Sequence, residues 1–324
     1  MSTPSPSSPP LRIAIVGVGA IGGLFGARLV QAGHHVSFLA RGKTLSILKT
    51  DGLHIESIDG NVHLPEVHAT DNPAEIGPVD LMLVSVKATQ IADLAPSLTS
   101  LLGPRTAIVP VQNGVEASAE LARALGEQYV LEGVCRVIVE AIAPGRIRHF
   151  AVSPMMEIGI RARTPANAPA LLQFHAVCDA LKSAGIKVTT PEQMEVALWE
   201  KFLFIEPFGV VGASTRVPIG IMRSVPETRA LLDACLHEVR AVGVAIGVPL
   251  SLDAVARTWQ RYDALPVEGT TSLQRDIIAG RVNEYDAQTG AVIRLARRHG
   301  VATPVHDVLH AALLPMINGE PRLS

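Results

Sequence analysis

Gly17, Gly19 and Gly22 follow four apolar strand-formers, Ile13 to Val16, and open onto the apolar run Leu24, Ala27, Leu29 and Val30 that closes at Gly33. This is the pattern of a buried strand, a turn too tight for side chains, and a helix whose first amides face an anion. Gly17 admits the turn, Gly19 lets a pyrophosphate approach the backbone, and Gly22 lets helix and strand pack closely. Val18, Ala20 and Ile21 complete the dinucleotide-binding stretch. Glycine-rich turns also arise for packing alone, but the strand before and the helix after this one favour a dinucleotide.

His35 to Ala40 reads as a second strand, and it ends at Arg41. An NAD site places an acid here, about twenty residues past the glycines, to hold the ribose 2′-hydroxyl. Arg41 stands in that place, and a guanidinium pairs with a 2′-phosphate, so the cofactor reads as NADPH/NADP rather than NAD. The plainer account is a solvated arginine at a loop start. Val79 to Val86 and Thr106 to Val111 are further buried strands, stopping at Lys87 and at Gln112-Asn113-Gly114. Ligands of open parallel sheets sit beyond the carboxyl ends of strands, where Lys87 and Asn113 fall. Singly, Lys87 is equally a solvated strand end and Asn113-Gly114 a turn that favours positive φ.

The other chemical candidates come from helices. Met194, Ala197, Leu198, Phe204, Ile205 and Phe208 share one face of a nearly all-round apolar helix, and Lys201 interrupts that face. Either its head snorkels to water, or it is an ammonium held in a desolvated site as an acid or anion binder. Glu284 follows Asn283 at the start of a helix that closes with Arg294, Arg297, Arg298, His299 and Gly300. It has a ready account as a dipole-complementing acid.

The elements that must position these residues divide the chain of 324 residues in two. Residues 1–10, rich in Ser and Pro, read as a disordered tail, 11–190 as a Rossmann-type sheet domain, and 191–324 as an all-α domain. Leu53–Glu56 and Val62–Val67 look like a hairpin, and residues 130–160 like antiparallel strands extending the sheet. Thr190 with Pro191 and Gln193 reads as the cap of the Lys201 helix. The fold class is therefore α/β with a helical second domain.

A formal charge of −2 and a charged fraction of 18 % give no electrostatic case for nucleic acid or a membrane surface. Cys135, Cys178 and Cys235 are too scattered for a disulfide framework or a metal site, and read as reduced thiols of a cytoplasmic protein. No histidine pair has metal spacing, since His34 and His35 are adjacent.

With these residues in place, the chain resembles the ketopantoate reductase family over nearly its whole length. The resemblance rests on GVGAIG (17–22), LAR (39–41), SVKATQ (85–90), QNG (112–114), LWEKFLF (198–204), TSLQRD (271–276) and NEYD (283–286). It implies NADPH, a small-molecule 2-oxo acid substrate, a possible homodimer, and an all-helical second domain. By that likeness Lys201 is the general acid, Glu284 sits near it, Ser272 meets the polar end of the substrate, and Lys87 and Asn113 line the nicotinamide side. Family members that reduce ketopantoate commonly carry asparagines four and eight residues beyond the lysine; here those positions are Ile205 and Gly209. A more apolar 2-oxo acid is therefore the alternative substrate, and a non-catalytic NADPH-binding sensor the alternative of another class.

Overall fold

Residues 9–317 are described by a computed structural model. The expected tail lies largely outside them. The chain divides into two compact units. One holds the chain up to Gln112 together with Ala117–Met194; the other holds Asn113–Glu116 and the chain from Glu195 onward.

In the first unit the order is β1 (Arg12–Val16), α1 (Ala20–Gln31), β2 (His35–Leu39), α2 (Gly42–Thr50), β3 (Leu53–Ser57), β4 (Val62–Leu64), β5 (His68–Thr70), α3 (Pro73–Ile76), β6 (Leu81–Val84), α4 (Ile91–Leu94) and β7 (Ala107–Pro110). Then come α5 (Ala117–Leu125), β8 (Leu131–Arg136), β9 (Val139–Ala143), β10 (Arg146–His149), β11 (Met155–Ile160), α6 (Pro169–Ser183) and β12 (Lys187–Thr189). A parallel sheet in the order β5-β2-β1-β6-β7 forms the centre. Residues Ile13 to Val16 and Leu81 to Val84 are buried without alternation, because both faces of the sheet are covered. One core gathers Ile13, Ile15, Phe25, Phe38 and Leu83 with α1 and α6 residues; the opposite one gathers Val16, Met82, Val84 and Ile108 with Leu98 and Leu121.

The strands of residues 130–160 do not extend that sheet as expected. They build two others, β4-β3-β10-β9 and β12-β11-β8. Next to β7 the chain makes an isolated parallel bridge, Ile108 to Val130, just before β8 begins. Val111 N–H donates inward to the Val84 carbonyl, so the nitrogen of Pro110 faces the other side and has no hydrogen to give β8.

The second unit is helical: α7 (Met194–Thr215), α8 (Ile219–Ser224), α9 (Pro226–Ala245), α10 (Ala254–Asp263), α11 (Ser272–Ile278), a π-helical turn at Asp286–Gly290, α12 (Ala291–His299) and α13 (Pro304–Ile317). Its core surrounds Trp199, Phe202, Leu203, Val210, Leu236, Val239 and Tyr262. Two expectations about caps are corrected. Thr190 does not cap α7, which starts at Met194. Met194 packs against β11, with its Cβ 2.7 Å from where a side chain on Gly159 would begin. Nor does Asn283 begin a regular α-helix. Its Oδ1 accepts from Tyr285 N–H at 3.1 Å, but the π-helical turn follows before α12 begins.

Cys135, Cys178 and Cys235 are buried and form no disulfide among the described residues. Among the described residues no helix is long and apolar enough to cross a membrane.

Candidate active site

β1 delivers the chain to Gly17, whose φ of 94° belongs to glycine. A Cβ there would stand 2.7 Å from Val86 Cγ1. Gly17 N–H donates to the Leu39 carbonyl at 3.0 Å, and Ser85 Oγ donates to the Gly17 carbonyl at 2.6 Å, so three strand ends fix the turn. A side chain on Gly22 would overlap both the Gly17 carbonyl and Ser85 Oγ. At Gly19 the situation is opposite: nothing lies within 4 Å of where its Cβ would be.

Gly19 is also the N-cap of α1, supplies no side-chain cap, and is followed by a first turn without an acid. The helix's own bonding starts with Gly23 N–H to the Gly19 carbonyl at 2.9 Å. The amides of Ala20, Ile21 and Gly22 therefore have no partner within the helix. An open approach and unshared amides at a helix N-terminus are what a pyrophosphate requires, and the cradle fits a dinucleotide.

Arg41 stands at the tip of β2 as the N-cap of α2, exposed, with Lys43 also exposed in the following turn and no acid there. Arg41 forms no ion pair with a described residue. Two exposed cations and no acid at the tip of β2 would suit a phosphate better than a bare hydroxyl. Lys87 is half-buried just past β6, where its backbone N–H donates to Gln90 Oε1 at 3.2 Å. Gln112, marked in the sequence as a strand stop but given no role there, is buried just past β7. Its Nε2 donates to the Val84 and Val86 carbonyls, each at 3.0 Å, while its Oε1 has no hydrogen-bond partner. The signal was the position itself, a polar residue closing an apolar strand.

In the second unit Lys201 is 9 % exposed on α7, between Trp199 and Phe202 in the chain, both buried. Glu284 is 8 % exposed and accepts from Asn113 Nδ2 at 3.0 Å. That pairing depends on Gly114, whose φ is 109° and whose Cβ would lie 2.5 Å from the Ala287 carbonyl. Next to it Glu116 Oε2 takes Arg294 at 2.8 Å, and Arg294 also holds Asp286 at 2.6 Å. The segment 113–116 is thus stitched to the turn after Glu284 at both ends.

Ser272 is exposed and opens α11, capped by Thr271, whose Oγ1 accepts from Gln274 N–H at 3.1 Å. α11 lies against α7 at Gly209, where a Cβ would be 3.0 Å from Leu273 Cδ2 and 3.6 Å from Thr271 Oγ1. An asparagine at 209 would need that space. Asn113 and Glu284 are therefore in direct contact, and Ser272 is placed beside the Lys201 helix two turns beyond the lysine.

A cluster that the sequence did not reveal lies behind these residues. His306 is fully buried, with Nδ1 2.6 Å from Glu238 Oε2 and Nε2 3.0 Å from Glu206 Oε2. Thr289 Oγ1 donates to Glu206 Oε1 at 2.7 Å. Burial alone would lower the pKa of His306, but the two carboxylates outweigh it and raise the value to about 9. Among the described residues no group of His, Cys, Asp and Glu is arranged to hold a metal ion.

The family described as "Ketopantoate reductase PanE/ApbA" matches residues 13–163, and its C-terminal family, "Ketopantoate reductase PanE/ApbA C terminal", matches 193–316. The chain is similar to a 2-dehydropantoate 2-reductase of Mycobacterium tuberculosis, 30 % identical over 309 residues that cover 95 % of this chain and 98 % of the relative. It is 26 % identical to one from Nostoc sp. over 93 % of this chain and 94 % of the relative. A crystal structure of 2-dehydropantoate 2-reductase from Geobacter metallireducens superposes with a TM-score of 0.85 at 28 % identity, covering 94 % of this chain and 99 % of that one.

Proposed function

Because the chain belongs to the ketopantoate reductase family, whose members are NADP-dependent oxidoreductases acting on CH–OH groups, we propose that it reduces a 2-oxo acid to the 2-hydroxy acid, with ketopantoate the reference substrate. The observation that carries this reading is the burial of Lys201, at 9 % exposure, within an apolar stretch of α7. An ammonium costs several kcal/mol to desolvate, and a purely structural position would carry leucine at far lower cost.

NADPH, when bound, supplies the hydride; the amides of Ala20, Ile21 and Gly22 would hold its pyrophosphate and Arg41 its 2′-phosphate. Lys201 gives its proton to the carbonyl oxygen of the substrate and stabilises the negative charge that grows there. Glu284, a carboxylate fixed by the Asn113 amide, orients the polar groups at the reacting end. Ser272, exposed at the start of α11, meets the substrate's carboxylate. A homodimer belongs to the same reading through family likeness, and a cytoplasmic location through the reduced thiols read from Cys135, Cys178 and Cys235; sedimentation of the purified protein checks the assembly.

A second substrate reading is favoured by one contact. Gly209 lies under Leu273, and Ile205 precedes it by one turn, so this face of α7 offers no amide to a substrate hydroxyl. A site without such groups discriminates poorly for hydroxylated substrates and well for apolar ones.

The test follows NADPH oxidation with ketopantoate and a panel of branched and aromatic 2-oxo acids, for wild type and Lys201→Ala. Turnover of ketopantoate supports the first reading, and turnover of apolar acids alone the second. Tight NADPH binding without turnover of any acid would leave a binding protein and overturn the reaction.

A further inference from the structure

Two irregular backbone segments carry the residues assigned to the reaction. α7 runs through Pro207, which has no N–H for the Leu203 carbonyl, so the helix is weakened six residues after Lys201. The turn that follows Glu284 is π-helical, with Gly290 N–H reaching back to the Tyr285 carbonyl at 3.1 Å. Such turns are poor in intrinsic stability and persist where the surroundings hold them. Glu206 lies beside the first irregularity and Thr289 within the second, and they share a hydrogen bond of 2.7 Å.

We propose that Glu206, Thr289 and His306 are positioning residues: a buried brace that ties the Lys201 helix to the Glu284 turn and so sets the two side chains for proton transfer. This rests on the assignment of Lys201 and Glu284 above. Glu206 is 0 % exposed, and a buried carboxylate persists only with its lone pairs occupied and its charge balanced. Thr289 takes one oxygen and His306 the other. His306 in turn is anchored by Glu238, whose carboxylate also accepts from Val305 N–H at 2.8 Å and His306 N–H at 3.0 Å, at the start of α13. Four elements, α7, the π turn, α9 and α13, thus meet at one ionic network. Tyr262 adds a bond from its hydroxyl to the Phe204 carbonyl at 2.7 Å, on the same stretch of α7.

None of these groups needs to touch substrate or cofactor. Their effect is geometric: a hydrogen bond to a charged, desolvated acceptor resists displacement far more than van der Waals packing does.

The experiment uses Thr289→Val, which keeps the shape and removes the donor, and Thr289→Ser, which restores it. Expected for Thr289→Val are a kcat about tenfold lower, a KM for NADPH within about twofold of wild type, and a displaced alkaline limb of the pH–rate profile, with Thr289→Ser close to wild type. Amide exchange is read in parallel, and protection should fall together at 203–208 and 286–291. A folded Thr289→Val with wild-type kcat, or with loosening confined to one segment, would overturn the brace. If Thr289→Val does not fold, Glu206→Gln takes its place with the same two readouts. Should wild type reduce no 2-oxo acid, the reaction assignment fails, and the exchange arm alone decides: joint loosening supports the brace, and separate behaviour overturns it.

Discussion

Asn113 Nδ2 donates to Glu284 Oε2 at 3.0 Å across 171 positions of sequence. The amide occupies one lone pair of a carboxylate that is 8 % exposed, and on the proposed function its other oxygen would serve the substrate. Asn113→Ala removes the donor and leaves a buried acceptor short of a partner, at a cost of about 1–3 kcal/mol. We expect kcat to fall about tenfold in steady-state kinetics, with Asn113→Asp worse at neutral pH because two carboxylates would face each other. Equal kcat for wild type and Asn113→Ala would show that the contact merely closes a turn.

Lys201→Met replaces the ammonium, 9 % exposed on α7, with an apolar chain of similar length. Loss of a general acid costs about 10²–10⁴ in rate. We expect kcat to fall into that range while NADPH affinity, measured by its fluorescence, changes less than about threefold. A variant that retains more than about half of wild-type kcat would return Lys201 to the role of a buried structural lysine.

The glycine turn separates stability from binding. Gly22→Ala forces a methyl into the Gly17 carbonyl and Ser85 Oγ, a backbone overlap that costs about 1–3 kcal/mol or more and lowers the melting temperature. Gly19→Ala meets nothing within 4 Å and leaves folding intact. On the proposed function, its methyl stands where the pyrophosphate would approach, so NADPH affinity should drop by about tenfold or more. A Gly19→Ala protein that binds NADPH like wild type would move the pyrophosphate elsewhere.

On the proposed function, Arg41 is the residue that would decide between the two nicotinamide cofactors. It is exposed, so its bond to a 2′-phosphate is worth about 1.5–3 kcal/mol at most before screening. Arg41→Ala should raise the KM for NADPH about tenfold and leave that for NADH nearly unchanged, with the difference shrinking at high salt. Preference of the wild type for NADH would remove this role.

What could be read from the chain before folding follows from where the information sits. The Gly17 turn encodes its own local geometry, and Lys201 stands out as the one cation in an apolar face. Pro207 by itself favours a helix end, yet α7 runs through it, as the face shared by Met194 and Phe208 implies, and continues to Thr215 because burial on nearly all sides outweighs a missing bond. Pro110 acts in the opposite sense and separates strands that alternation alone would merge. The meeting of Asn113 with Glu284, and of Glu206 with Thr289 and His306, exists only in three dimensions. Glu206 looks in the sequence like any helix acid, and nothing local says that its partners lie 83 and 100 positions away.

The His306 network also predicts a pH dependence of folding. Both ring nitrogens face carboxylates, and the ring is buried at 0 % side-chain exposure. Burial by itself favours the neutral ring, but Glu206 and Glu238 outweigh it and raise the pKa to about 9, against about 6.5 in an unfolded chain. The folded state therefore binds this proton more tightly than the unfolded state. Its contribution is complete below about pH 6.5, declines as pH rises, and is lost above about pH 9, a difference on the order of 3 kcal/mol. Urea unfolding of wild type should lose that much between those limits. His306→Gln should start less stable and show a flatter profile over the same window. Parallel profiles for the two proteins would mean that the buried ring carries no extra proton.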